Sequence, residues 1–386
     1  MLPFFDQEHE NLRERVRAWV NTHLAVARGA SELEEEARGL VKQLGADGIL
    51  AYTVPQEHGG IRRQVQARDL CLIREELARG SALADTMFAI QALGSYPITV
   101  YGTEEQKNRY LPRIARGEVI AAFALTEPEA GSDVSALQTR AVLRGDSYIL
   151  NGTKRFISNA GIAHSYVVFA STEPERKSKG ISAFVVDARS PGLVLREKTP
   201  LLSPHPIGVI EFEDCVIPAS EVIGRPGEGL KVAFETLDLL RCTVGAAAVG
   251  LAQRALEEAI RYSQSRKQFG QSLAGFQAIQ FKLADMATEL EAARLLVYRA
   301  AWAHDCGGEN PKQMSSMAKL FATEAAQHVI DQGLQIHGGA GVVVGNIMER
   351  LYRDIRALRI YEGTSEIQKM VIARSLLGSF RVKGEG

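Results

Sequence analysis

The chain has 386 residues, 46% hydrophobic and 24% charged, with a formal net charge of −1. This is ordinary globular composition with length for two or three domains, and the near-neutral balance argues against electrostatically driven nucleic-acid binding. No run of about eighteen uninterrupted apolar residues is present, so no membrane span is expected.

The start, Met1-Leu2-Pro3-Phe4-Phe5-Asp6-Gln7-Glu8, leads into alternating charges rather than an apolar secretory segment. Residues 1–118 read as a helical domain. Leu33, Leu40 and Leu44 recur at helical spacing among Glu34, Glu35, Glu36 and Lys42. Val54 to Gly60 reads as a turn between helices. Thr103-Glu104-Glu105-Gln106 has the capping-box pattern, opening a helix with Tyr110, Leu111 and Ile114 on its apolar face. From Ala121 the period changes to that of strands. Runs at 147–150, 165–169, 183–186 and 209–212 are β-branched or aromatic, with Asn151-Gly152 and Ser190-Pro191-Gly192 read as turns. This predicts a compact antiparallel β domain over 119–226. Gly224 to Gly229 marks a boundary, and 227–386 returns to long helices. There Phe276, Ile279, Leu283, Met286, Leu290, Ala293, Val297 and Ala300 form the core stripe of a bundle, and Ala246, Ala247, Ala248 and Gly250 allow close helix approach. Fold class is thus α+β, in the order helical, β, helical. Cys71, Cys215, Cys242 and Cys306 are scattered without metal-like pairing, so no metal is expected and the thiols read as reduced, in a cytoplasmic protein.

Five stretches carry candidate chemistry. Phe123 to Asp133 runs from a strand into a loop where Thr126 and Ser132 can meet the edge of a planar polar ring and Leu125 its face; a polar turn at a strand end reads equally well. In Asn151 to Gly161, Phe156 and Ser158 are two residues apart and fall on one side of a strand, suited to the face and edge of a ring, but taken alone the stretch reads better as a β-hairpin with a core aromatic. Arg266 to Gln271 places an arginine at a helix end before a glycine turn, which suits a pyrophosphate or a solvated basic end. Gln335 to Gly341 is a glycine-rich helix end without the strand of a dinucleotide fingerprint; His337 within it reads as readily as a packed histidine. In Tyr361 to Gln368, Glu362 stands in a break between helices, with Thr364 and Ser365 as caps for the next one; taken alone it reads better as a surface loop glutamate that compensates the preceding arginines.

In this order and separation the stretches resemble the acyl-CoA dehydrogenase family along nearly the whole chain. Thr126-Glu127-Pro128-x-Ala130-Gly131-Ser132-Asp133, Arg266-x-x-Phe269-Gly270, Gln335-x-x-Gly338-Gly339-x-Gly341 and Tyr361-Glu362-Gly363-Thr364 carry the likeness. The resemblance implies a helical domain, a β domain and a C-terminal four-helix bundle, with FAD as cofactor. By it, Phe123, Leu125, Thr126 and Ser132 line the flavin, and Phe156 and Ser158 flank its ring. Arg266, Phe269, Gln335 and Gly339 reach the FAD of a neighbouring subunit, and Thr364 and Glu366 contact the adenosine half. Ser132, Arg241, Tyr361 and Gly363 fall at substrate positions. A homotetramer is expected for the same reason.

The activity so implied is α,β-dehydrogenation of an acyl-CoA, with Glu362 taking the α-proton, flavin N5 the β-hydride, and electron-transferring flavoprotein the electrons. Some family members carry the base on an earlier helix; the matching position here is Leu240, which cannot act as one. Phe156 stands where tryptophan is usual, and Leu201 to Gly208 departs from the family's run. Ile90 beside the pocket implies short, branched or cyclic acyl groups. The acyl carrier, CoA or a carrier protein, stays open. An oxygen-reducing oxidase of the same fold is the nearest alternative, and a DNA-associated relative would need more Lys and Arg. Arg350, Arg353, Arg356 and Arg359 are expected to pair with Glu349 and Asp354 on a solvated helix.

Overall fold

The computed structural model describes residues 4–24 and 32–379. Met1-Leu2-Pro3 and residues 25–31 and 380–386, which the domain reading included, lie outside the described residues. The elements in chain order are α1 (Gln7–His23), α2 (Leu33–Ala46), α3 (Ala67–Gly80), α4 (Ala82–Tyr101) and α5 (Glu104–Ala115), then the strands β1 (Ala121–Ala124), β2 (Arg140–Arg144), β3 (Ser147–Ser158), β4 (Ser165–Ser171), β5 (Ile181–Asp187), β6 (Leu193–Lys198), β7 (Ile207–Pro218) and β8 (Val222–Ile223). The remainder is α6 (Gly229–Ser265), a small hairpin of β9 (Lys267–Gln268) and β10 (Gln271–Ser272), α7 (Gln277–Cys306), α8 (Pro311–His337), α9 (Ile347–Leu358) and α10 (Ser365–Ser379). The helical, β, helical order is the expected one. Two compact units divide the chain differently: one gathers 1–27, 66–85 and 238–386, the other 28–65 and 86–237.

In the second unit, α2 buries Ala37, Leu40, Val41 and Leu44, as its spacing predicts. The capping box opening α5 is formed in both directions: the Gln106 N–H donates to Thr103 Oγ1 at 3.2 Å and the Thr103 N–H to Gln106 Oε1 at 3.0 Å. Gln106 Nε2 then donates to the Ser220 and Val222 carbonyls, fastening the helix start to β8. The eight strands form one sheet in the order β6-β7-β3-β2-β4-β5-β8, with β1 beside β4. It is mixed rather than antiparallel throughout: β1 and β4 are parallel, as is the single β2–β4 pairing of Arg140 with Ser171.

Asn151-Gly152 is not a turn. It lies inside β3, opposite a bulge that puts one extra residue on β7, where Leu150 pairs with Cys215 and Gly152 with Phe212. Asn151 Oδ1 and Nδ2 bond the Asp214 backbone and carboxylate, both at 2.9 Å, and Gly152 takes φ 145° where a Cβ would meet Thr139. The same residue types that make a hairpin turn thus serve a bulge; the β2–β3 turn is Gly145-Asp146. Ser190-Pro191-Gly192 is the β5–β6 connection, as read.

In the first unit α8 packs against α7, α9 and α10, and α3 against α1 and α7. The α7 stripe is core only from Met286 onward: Met286, Leu290, Ala293, Val297 and Ala300 are buried. Phe276, Ile279 and Leu283 are part-buried and Phe281 is exposed, while Lys282 in the same turns donates to Gln332 of α8. Cys71, Cys215 and Cys242 are buried free thiols and Cys306 is exposed. No helix among the described residues is long and apolar enough to cross a membrane.

Gln91 on α4 spans a gap that apolar residues cannot. Its Nε2 donates to the Val119 carbonyl at 2.8 Å and its Oε1 accepts the Ala121 N–H at 2.6 Å, all buried. Gln91→Leu orphans both backbone groups, at about 1–3 kcal/mol each. A urea unfolding curve of the variant is expected to show a stability loss of about 2–6 kcal/mol; an unchanged midpoint contradicts this.

Candidate functional site

Glu362 stands in the break between α9 and α10 with φ 53°, followed by Gly363 at φ 92°. The left-handed region costs a non-glycine residue about 1–2 kcal/mol, so neighbours must hold it. Gln368 Nε2, one turn into α10, donates to the carbonyls of Glu362 at 3.2 Å and Gly363 at 2.9 Å. Lys319 Nζ from α8 donates to the Gly363 carbonyl at 2.8 Å. Thr364 Oγ1 caps the Ile367 N–H, and Ser365 Oγ donates to Glu324 Oε1 at 2.5 Å. A Cβ at Gly363 would lie 2.5 Å from Gln368 Nε2, so glycine is required for that clamp.

The residue is half-buried overall, but its Oε2 is buried and has no hydrogen-bond partner. Burial raises the Glu362 pKa above the ordinary carboxylate value; Arg74, Arg241 and Lys319 pull it down and Asp85 pushes it up. Arg74 on α3 is itself buried in a bidentate pair with Asp85, at 2.7 and 2.9 Å, and donates to Thr243 Oγ1 at 2.9 Å. Arg241 Nη1 donates to Asp238 at 2.5 Å, while its buried Nε has no partner. Burial lowers the Lys319 pKa to about 8. Glu362 Oε2, an acceptor without a donor, and Arg241 Nε, a donor without an acceptor, are thus both buried in this unit. Leu240 beside Arg241 is buried.

In the other unit, Phe123 of β1 is part-buried, its ring 4.9 Å from that of Phe169. Leu125 after it is buried, Thr126 part-buried and Ser132 exposed. This loop is anchored from below by Lys154. Its Nζ is wholly buried and donates to Glu127 Oε1 at 2.7 Å and to the Leu125 carbonyl at 3.2 Å. Glu127 also accepts the Gln138 and Thr139 N–H groups. Burial raises its pKa, but Lys154 and these donors hold it below the usual range; burial brings Lys154 down to about 8.

The Arg155 N–H leaves the β3–β7 ladder for the Thr126 carbonyl, 2.9 Å away, and β3 bulges there. Strict alternation would put Lys154 and Phe156 on one face. The bulge instead buries Lys154 and turns Phe156 outward, 47% exposed with φ 56° and the Arg155 guanidinium 4.7 Å from its ring centre. Ser158, two residues on, bonds His205.

Arg266 follows α6, and Phe269-Gly270 forms the β9–β10 turn with both φ positive, leaving Phe269 94% exposed. Gln335 and Gly339 lie exposed at the end of α8. The buried His337 stacks on Tyr262 at 4.3 Å, bringing the ends of α6 and α8 together, and bonds the Gly333 carbonyl, so it is a packed histidine. Tyr361, Glu362, Gly363 and Thr364 lead into α10, and Glu366 is in its first turn. Arg353 pairs with Glu349 as expected, whereas Arg359 pairs with Glu324 of α8.

Among the described residues, seven non-glycine positions have positive φ. Three are Asn or Asp, which tolerate it; of the other four (Phe156, Lys177, Phe269 and Glu362) three are residues that the sequence singles out as functional. No role follows from the sequence for Arg74, Asp85, Lys319, Gln368 or His205, although Gln368 and His205 lie within stretches singled out above. A lysine and an arginine inside otherwise apolar helix faces, as in Met317-Ala318-Lys319-Leu320-Phe321 and Leu72-Ile73-Arg74, were the available signal.

Three family models match the chain: acyl-CoA dehydrogenase N-terminal domain over residues 6–118, middle domain over 122–215 and C-terminal domain over 227–377. The short-chain specific acyl-CoA dehydrogenase of Rattus norvegicus mitochondria is 42% identical over 97% of this chain and 91% of its own. Butyryl-CoA dehydrogenase from Megasphaera elsdenii superposes with a TM-score of 0.91 at 35% identity, covering 97% of this chain and 99% of that one. An acyl-CoA dehydrogenase from Bacillus anthracis complexed with FAD gives 0.89 at 32% identity, covering 97% of this chain and 68% of that one.

The Lys154–Glu127 pair lends itself to a double substitution. Lys154→Met strands a buried carboxylate and is expected to cost about 3–5 kcal/mol in chemical unfolding, and adding Glu127→Gln to recover part of it. Equal stability of wild type and Lys154→Met contradicts the pairing.

Proposed function

We propose, for a chain that belongs to the acyl-CoA dehydrogenase family, that it converts an acyl-CoA thioester to its 2-enoyl thioester, with Glu362 removing the α-proton. The observation that carries this reading is the Glu362 carboxylate, buried with an unpartnered Oε2 on a strained turn. An α C–H is a weak acid, so its removal needs a strong base and stabilisation of the charge that develops on the thioester oxygen. Burial supplies the first by raising the Glu362 pKa. For the second, the Glu362 N–H has no acceptor among the described residues and is free to donate to a carbonyl. Arg74, Arg241 and Lys319 pull against that rise. Ser132, Arg241, Tyr361 and Gly363 are proposed to contact the thioester substrate.

FAD is the proposed cofactor, supported by the FAD complex of the Bacillus anthracis relative; when bound it supplies the hydride acceptor. The residues present fit such a group: an aromatic side chain held half-exposed at strained backbone, with Ser158 beside it, suits a planar ring with a polar edge. Phe123, Leu125, Thr126, Ser132, Phe156 and Ser158 would hold that ring. Thr364, Glu366, Arg266, Phe269, Gln335 and Gly339 would hold the remainder, the last four from a neighbouring subunit. Exposed Phe269, Phe281, Val342, Val343 and Val344 give the chain apolar surface for subunit contacts, which supports a homotetramer. Electron-transferring flavoprotein is the proposed acceptor, and the free thiols fit a cytoplasmic location.

A panel of acyl-CoA thioesters mixed anaerobically with the FAD-loaded enzyme should bleach the flavin with at least one; bleaching by none contradicts the reading. Glu362→Gln should retain FAD and bind thioester but reduce at least about 10²–10⁴-fold more slowly. In the wild type, kcat/KM should rise with pH through an apparent pKa above the ordinary carboxylate value and then level, since only the carboxylate takes the proton. The same raised pKa means that ionised Glu362 costs folding stability above it. Glu362→Gln is therefore expected to melt no lower than the wild type at neutral pH, with any advantage lost below the usual carboxylate range; a lower melting temperature at neutral pH would oppose this.

A further inference from the structure

Ser158, at the end of β3, is held by a residue from the stretch Leu201 to Gly208, where the sequence departs from its family. Its Oγ lies 3.0 Å from His205 Nε2, and His205 Nδ1 lies 3.3 Å from the Ser203 carbonyl oxygen. A carbonyl only accepts, so Nδ1 carries the proton; in the neutral ring Nε2 is left as an acceptor. Burial disfavours the charged ring, with only the Ser203 carbonyl opposing it, so neutral His205 is the expected form. The loop is fixed on both sides. Asn159 N–H donates to the Pro206 carbonyl at 2.8 Å, Ser158 pairs with Ile207 across the β3–β7 ladder, and His205 stands between Pro204 and Pro206 in the chain, where each proline fixes its own φ.

A hydroxyl has one proton. Once Ser158 gives it to Nε2, Oγ offers only lone pairs to anything else beside it. We propose that His205 is a positioning residue that converts Ser158 into a hydrogen-bond acceptor toward the flavin, favouring the reduced ring, whose N5 bears a proton, over the oxidised ring, whose N5 does not. The inference rests on the proposed contact of Ser158 with FAD and deepens it: the site would ease hydride uptake through an orientation of one O–H bond.

The test is the two-electron midpoint potential of the FAD-loaded enzyme, measured by anaerobic titration against indicator dyes, together with ring ¹⁵N NMR of His205. Ser158→Ala and His205→Phe should each move the reduced-to-oxidised ratio about tenfold toward oxidised, as befits loss of one hydrogen bond, which is about 30 mV for a two-electron couple. The double variant should move it no further, and His205→Gln, whose amide oxygen can accept the same proton, should recover most of the shift. In the wild type His205 should show the Nδ1–H tautomer, with an Nε2 resonance that shifts in Ser158→Ala. A lowered potential in Ser158→Ala but not in His205→Phe, or an Nε2–H tautomer, overturns the role of His205 while leaving the flavin contact intact. An unchanged spectrum and potential in Ser158→Ala overturns the contact itself and the inference with it.

Discussion

The turn at Glu362-Gly363 depends on two side-chain donors that reach its carbonyls, Lys319 Nζ from α8 and Gln368 Nε2 from α10. Left to local preference, a glutamate leaves the left-handed region, and the carboxylate then swings with the backbone. The clamp prevents this by holding the Glu362 and Gly363 carbonyls, which lie in neither helix. It also presents the Glu362 N–H and its carboxylate from one residue, so a single constraint fixes both groups that the proposed chemistry needs.

Burial makes that carboxylate a stronger base and a costlier one. Three buried cations offset the cost, and Asp85 tempers one of them: Arg74 is spent largely on Asp85 and Thr243, so it attracts Glu362 without capturing it. A direct Arg–Glu pair would have depressed the pKa and weakened the base. The arrangement in the β domain follows the same logic with the opposite sign. Lys154 does capture Glu127, because there the purpose is to immobilise the loop that carries Leu125 and Thr126.

Much of the fold is legible in the sequence because its period is strong. The spacing of Leu40 and Leu44, the Thr103–Gln106 box and the β-branched runs each depend on neighbours close in the chain. The first turns of α7 look like core by period and are not, since period reports an apolar face but not whether this chain covers it. Asn151-Gly152 misleads because turn and bulge want the same backbone freedom. Of the candidate site, Glu362, Phe156 and Phe269 stand out in their motifs, and their shared positive φ gives them a physical signature that no sequence shows. Arg74, Lys319 and His205 act through contacts made across long stretches of chain, and a lysine in an apolar helix face does not say which carbonyl it will meet.

The central claim is that Glu362 takes the α-proton. Its most direct measurement is exchange of the thioester α-hydrogen with solvent deuterium, followed by NMR on the holoenzyme and on Glu362→Gln. Exchange in the wild type and none above background in the variant is the predicted result; exchange at the wild-type rate in the variant would contradict it.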